Sequence, residues 1–389
     1  MHTLEQWFHD PAAQAAAESL RDSAPMVETA IAIQQIAAPT FAEGPRGQFV
    51  QSQMQALGLR EVAMDEVGNV YGCRLGTVSG PGLLIAAHLD TVFPAGTDLS
   101  VRREDERIYG PGLGDNSLGV AGLLHLARAL QQHDVPNEHP IWFVANVGEE
   151  GLGDLRGMRA AVDRLASQIG AAIALEGGTH GHVIHEAIGV RRYRVSATAA
   201  GGHSWQDFGA PSAIHALVRL AARLTHLHIP EGARSSYNIG VIEGGSSVNT
   251  IAQHASLLLD LRSVSPAALE QLVGQVEQVI VDSQAAETDV HITLEDVGNR
   301  PAGRIARDHP LVQAVAAIHR KVGTVTEYDV ASTDANIPLS RGIPAVCIGV
   351  GDGYNAHRLD EYIEARRIGT GMQALLCLAL AASSSAVIP

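Results

Sequence analysis

Leu83-Leu84-Ile85-Ala86-Ala87-His88-Leu89-Asp90 is a short apolar run that ends in an imidazole and a carboxylate. Residues 83–87 read as a compact strand, and Pro94 and Gly96 mark the turn that follows. His88 and Asp90 lie two residues apart, so on an extended backbone their side chains project to the same side. A metal-bound histidine needs an acceptor for its second ring nitrogen, and Asp90 is placed to supply it. A loop histidine beside a capping aspartate is the plainer reading, and for an isolated His-x-Asp pair it is the better one.

Working outward, the same pattern recurs. Residues 141–146 form another apolar run, ending in Gly148-Glu149-Glu150-Gly151, and residues 171–175 a third, ending in Glu176-Gly177-Gly178. Residues 344–350 read as a strand before a glycine-rich loop that contains His357. Helical spacing marks residues 118–130 and 366–382, with Asp115, Asn116 and Ser117 as cap candidates for the first. Strands alternating with helices predict an α/β domain with a mixed central sheet flanked by helices. In such sheets ligands bind outside the carboxyl ends of the strands, where His88, Glu149, Glu150, Glu176 and His357 would meet.

The middle of the chain reads differently. Residues 189–199 alternate as an amphipathic strand, followed by a helix at 212–225 and strands at 237–242 and 255–262. A helix at 266–284 and a short strand at 291–294 complete the run. That order predicts a small antiparallel sheet backed by two helices, a ferredoxin-like α+β insertion. The expected division is 1–187 and 299–389 as one catalytic domain, with 188–298 inserted.

Asp115 alone would be read as a helix cap; as a functional residue, its two oxygens could bridge two cations. Its neighbouring glycines would let the backbone approach a metal centre closely. Adjacent Glu149 and Glu150 at a buried strand end repel each other unless a positive charge sits nearby. A metal would supply it, leaving one glutamate as ligand and the other as general base. Two solvated loop acids are the bland alternative, weakened here by the flanking glycines and the apolar strand. His180, His182 and His185 are read as surface histidines without a special role.

Bulk properties narrow the function classes. The 389 residues allow two domains and a sizeable core, and hydrophobic residues at 46% fit a globular protein. Aromatic residues make up only 4%, so aliphatic packing dominates. A formal net charge of −15 repels nucleic acid and anionic membranes, so neither is an expected partner. Residues 374–382, the longest apolar run, are too short to span a bilayer. Residues 1–6 lack a basic region followed by an apolar stretch, so no secretory leader is expected. Cys347 and Cys377 lie in apolar stretches and Cys73 stands apart; buried reduced thiols and a cytoplasmic location are expected.

In order along the chain, His88-x-Asp90, Gly112-x-x-Asp115 with Gly119, Glu149-Glu150-Gly151, Glu176 and His357 resemble the motifs of the co-catalytic zinc peptidases. That family includes peptidase T, glutamate carboxypeptidase, aminoacylase and succinyl-diaminopimelate desuccinylase, and the peptidase T-like branch is the most similar. The resemblance implies two divalent metal ions per chain, zinc first, with cobalt or manganese as replacements. It implies that Asp115 bridges them, that His88 and Glu176 complete one site, and that Glu150 and His357 complete the other. Glu149 would be the general base for a metal-bridged hydroxide, and Asp90 would orient His88. His203 resembles the histidine that the inserted lid and dimerisation domain carries to a partner's active site, which implies a homodimer. Asn249 and Arg262 resemble substrate-holding residues. Glu361 matches a further acidic position whose role the resemblance does not specify, and Ser117 stands where many relatives have lysine. The implied reaction is cleavage of amide bonds in short peptides by an aminopeptidase or tripeptidase. A carboxypeptidase or an N-acyl-amino-acid amidohydrolase is the alternative. A non-catalytic binding homologue is the distant one, because every ligand and the base are retained.

Overall fold

A computed structural model describes residues 9–388, so the N-terminal hexapeptide read for a leader lies outside the described residues. The chain divides into two compact units, one running to Ala187 and resuming at Arg304, the other spanning Ile188–Gly303.

The first unit is built on a mixed sheet. Its strands are β1 (Arg60–Met64), β2 (Val70–Arg74), β3 (Gly82–His88), β4 (Ile141–Asn146), β5 (Ile169–His180) and β6 (His182–Ala187). Near the C-terminus β11 (Glu327–Ala331) and β12 (Ala345–Gly349) join them; β7 to β10 belong to the second unit. The hydrogen-bonded order is β1-β2-β4-β3-β5-β12-β6-β11, with β4, β3, β5 and β12 mutually parallel. Their carboxyl ends therefore share one edge.

The unbroken apolar run in β3 follows from burial on both faces. Leu83, Ile85 and Ala87 join the core under the helices Ala24–Gln34, Leu118–Gln132 and Ile368–Ala382. Leu84 and Ala86 point the other way, into a second core with Met158 and Val162 of the helix Arg156–Leu165. β4 splits likewise, with Ile141, Phe143 and Ala145 on one side and Trp142 and Val144 on the other. Cys73, Cys347 and Cys377 are buried and unbridged. Among the described residues no helix is long and apolar enough to cross a membrane.

The second unit carries β7 (Gly189–Thr198), β8 (Ser235–Gly244), β9 (His254–Ser263) and β10 (His291–Arg300) in the antiparallel order β8-β9-β7-β10. Two helices, Ala213–Leu224 and Pro266–Ala286, cover one face, where Val195, Leu217, Leu257, Leu259 and Leu272 pack together. Ser212 and Ser265 cap those helices through their hydroxyls. β10 runs on to Arg300, so this unit extends past the expected boundary at 298.

Two local expectations fail. The helix after residue 117 has no side-chain cap: residues Leu113–Ser117 form a wide turn, and the Asp115 carboxylate points elsewhere. His180 is not a surface residue; it is buried, with Nε2 3.0 Å from the Thr324 hydroxyl.

Burial has a thermodynamic consequence at other histidines. Desolvation, aided by Arg128, pushes His125 down to about 4. His319, buried and 6.3 Å from the His180 ring, is also pushed down to about 4. Above pH ~6.5 these rings are neutral in both folded and unfolded chains. As the pH falls from there towards 4 the unfolded chain takes up protons that the folded chain refuses, so stability is lost across that window. Each ring costs up to ~3 kcal/mol at its acid end. In urea unfolding, the midpoint of His125→Gln relative to that of the wild type should rise between pH 7.5 and pH 5, because the variant lacks this penalty; a difference that does not change with pH contradicts the assignment.

Candidate metal centre

Each functional side chain is set by the end of a strand or by a loop pinned to one. His88 is the last residue of β3, 1% exposed. Glu149 and Glu150 follow β4 and are both buried. Glu176 lies on a bulge of β5, where pairing with β12 jumps from Leu175 to His180. Gly177 permits that bulge, because a Cβ there would lie 2.1 Å from the Gly114 carbonyl oxygen. His357 sits in the loop between the short strands Asp352–Tyr354 and Tyr362–Glu364, whose Tyr354 and Tyr362 rings stack at 4.8 Å.

These four segments and the Asp115 loop converge. His88 Nε2 is 3.1 Å from Asp115 Oδ1 and 3.8 Å from Glu176 Oε2. His357 Nε2 is 3.0 Å from Asp115 Oδ2 and 3.1 Å from Glu150 Oε1. Two donor groups result, His88 with Asp115 and Glu176, and Asp115 with Glu150 and His357; within each, one ligand atom per residue lies within 4.8 Å of the others. Asp115 belongs to both. A third group, His88 with Glu149 and Glu150, brings the other glutamate to the same place.

The charges explain why such a cluster needs cations. Burial alone would lower the His88 pKa, yet the nearby carboxylates of Asp115, Asp90 and Glu176 hold it well above the ordinary value. Hydrogen bonds to Asp115 and Glu150 raise His357 to about 10. Burial opposes ionisation of Asp115, but His357 and His88 outweigh it and keep that carboxyl below the usual range. Glu176 is pushed up to about 7, by burial first and by Asp115 and Asp334 after the opposing effect of His88. The carboxylates around His88 and His357 thus favour positive charge on both imidazoles. Divalent ions could supply that charge instead, displacing both protons, and the mixed imidazole and carboxylate donors suit zinc.

The surrounding shell departs from expectation in one respect. The nearest acceptor for His88 Nδ1 is the backbone carbonyl of Asp90, at 3.0 Å; the Asp90 carboxylate is 3.6 Å away. That carboxylate instead accepts the backbone N–H groups of Glu149 and Glu150, each at 3.0 Å, and the Thr40 hydroxyl at 2.9 Å. Asp90 therefore orients His88 through its main chain and the Glu149–Glu150 turn through its side chain.

Glu361 acquires a definite role. Its carboxylate accepts the N–H groups of Gly112, Gly114 and Asp115 at 2.9, 2.7 and 2.9 Å, fixing the loop that presents Asp115. Asn116 donates to the Leu175 carbonyl at 2.8 Å, and Gly119 makes room for it: a Cβ there would lie 2.0 Å from Asn116 Oδ1. The expected reason for these glycines, close backbone approach to a metal, gives way to packing around Asn116 and Glu361. Ser117 donates to the Gly112 carbonyl and takes no part in the donor groups. Thr40 and Asn116 were missed in the sequence, since nothing local marks either as touching a site.

A model of peptidase family M20/M25/M40 matches residues 84–381, a span that contains every donor just described. The chain belongs to that family. This M20 chain is 25% identical over 335 residues to carboxypeptidase G2 of a Pseudomonas species, covering 82% of this chain and 79% of that protein. It is 26% identical over 356 residues to succinyl-diaminopimelate desuccinylase of Corynebacterium glutamicum, covering 88% and 92%. A solved tripeptidase from Staphylococcus aureus shares the fold at a TM-score of 0.76 and 22% identity, over 92% of this chain and 97% of that one. The M20 chain is a metal-dependent hydrolase.

The remaining expected residues lie in the second unit. His203 is exposed on the two-residue strand Gly202–His203, paired with Thr250–Ile251, and Asn249 is its neighbour through the Ser204 N–H to Asn249 carbonyl bond at 3.0 Å. Arg262, held by Asp260 at 2.7 Å, lies towards the far end of β9.

Glu361→Ala removes the acceptor of three N–H groups and should loosen the Asp115 loop. Zinc affinity measured by competition with a chromophoric chelator should fall ~10–100-fold, with the fold retained by circular dichroism. Unchanged affinity would show that the loop holds itself.

Proposed function

We propose that this M20 hydrolase cleaves amide bonds in short peptides, with two divalent ions at the site and Glu149 as general base. The observation that carries the reading is the sharing of Asp115 between two imidazole–carboxylate donor groups beside a further buried carboxylate, Glu149. His88 and Glu176 would hold one ion, Glu150 and His357 the other, with Asp115 between them. Zinc ions bound there lower the pKa of a water towards ~7 and polarise the scissile carbonyl.

The chain's own groups do the rest. Glu149 takes the proton from the attacking water and delivers it to the leaving amine. Asp90 keeps the Glu149 backbone fixed, so the base does not swing away from the reacting atoms. In the second unit, His203 would donate to the developing oxyanion and Asn249 would hold the substrate. Arg262 would take a substrate carboxylate, which the carboxypeptidase or amidohydrolase alternative requires. The names of the relatives, a carboxypeptidase and a desuccinylase, keep that alternative in view.

A geometric constraint supports a homodimer. From His254, beside the His203 end of the sheet, to Arg262 is eight residues of β9, ~26 Å at the rise of a strand. One copy of the unit cannot bring both groups to one scissile bond. We propose that His203 and Asn249 serve the partner's site.

Glu149→Gln should keep its zinc and lose kcat by ~10²–10⁴; full turnover would refute the assigned base. Mixing inactive Glu149→Gln with inactive His203→Ala under exchanging conditions should restore about a quarter of wild-type activity, because one site per heterodimer is then complete. No recovery despite confirmed exchange would place His203 in its own subunit's site. A panel of free tripeptides and N-acetyl amino acids separates the two substrate readings.

A further inference from the structure

The segments that bring the donors together also carry four exposed apolar side chains. Val92 lies two residues after Asp90, Leu152 two after Glu150, and Leu359 two after His357. They are 39%, 45% and 71% exposed. Phe41, 65% exposed, adjoins Thr40, whose hydroxyl donates to Asp90. Two residues of chain reach at most ~7 Å, so each of the first three Cα atoms lies within that distance of a donor or of the residue that orients it. Scattered exposed hydrophobics are ordinary on any protein. Their recurrence on four separate donor-bearing or donor-orienting segments is not explained by scatter.

Phe41 is also held in place. Its φ of 76° lies in the left-handed region, which a bulky residue rarely adopts. Its ring lies under the Arg156 guanidinium, 4.7 Å from centroid to Cζ, and Arg156 is fixed to Glu43 at 2.7 Å. Such strain persists where the surroundings over-determine it, as they do at ligand clamps. The cations nearby are already paired: Arg156, over Phe41, with Glu43, and Arg358, the one lysine or arginine within two residues of a donor in sequence, with Asp360 at 2.8 Å.

We propose that Phe41, Val92, Leu152 and Leu359 form an apolar rim around the metal centre that selects amide substrates with an aliphatic or aromatic side chain next to the scissile bond. The inference rests on the hydrolase reading above and adds the substrate class. An apolar side chain leaves water against this rim, whereas a carboxylate or ammonium placed there is desolvated without a partner.

The test uses the zinc-loaded full chain and matched pairs, Leu-Gly-Gly against Asp-Gly-Gly and N-acetylleucine against N-acetylaspartate. In whichever series is cleaved, kcat/KM should favour leucine by ~100-fold or more, within the range that apolar pockets achieve by several contacts. Phe41→Asn, which tolerates the left-handed backbone, and Leu359→Ser should each lower that ratio ~10-fold with the thermal midpoint unchanged. A wild-type ratio near one, or a ratio that neither variant moves, overturns the rim. Absence of hydrolysis in both series would instead sink the parent reading, so the two failures are distinguishable.

Discussion

The Asp115 carboxylate lies between two imidazoles that arrive from opposite ends of the sequence, with His88 3.1 Å from one oxygen and His357 3.0 Å from the other. Much of the first unit can be understood as what is needed to hold that carboxylate there. It cannot cap the following helix, because its loop is pulled out of helical geometry by the three N–H groups given to Glu361. It cannot ionise without compensation, because it is half-buried among other carboxylates. The two donor groups that share Asp115 mark where cations would sit to provide that compensation.

The sheet explains why the compensation is geometric as well as electrostatic. Parallel strands β4, β3, β5 and β12 end on one edge, so a ligand at each carboxyl end needs no long loop to reach its neighbours. Asp90 then serves two strands at once, with its carbonyl on the His88 ring and its carboxylate on the turn after β4. Burial makes these bonds strong and leaves no water to replace them.

Much of this was legible in the sequence because it depends on period and order. Unbroken apolar runs ending in His or Glu identify strands buried on both faces, and the donors follow from what comes next. The antiparallel second unit was readable from the alternation in residues 189–199 and the two intervening helices. What was not legible is contact between residues distant in the chain. Glu361 reads as a spare acid until its three N–H partners, some 250 residues earlier, are brought to it. Thr40 has no local motif, and His180 looks like a surface residue until β5 turns it inward. Asp115 next to a helix start resembles a cap because local pattern cannot see the pull of Glu361.

The apolar rim and the acidic field act on different length scales. A formal charge of −15 sets a potential that disfavours anionic substrates within a Debye length of ~8 Å at physiological salt and is screened beyond it. Within the last few ångströms, desolvation replaces long-range Coulomb energy as the deciding term, and there the proposed rim of Phe41, Val92, Leu152 and Leu359 would act. Here the one arginine or lysine within two residues of a donor in sequence is ion-paired to Asp360. The order of donors along the chain therefore sets the chemistry, while the side chains two residues beyond Asp90, Glu150 and His357 would set what is brought to it.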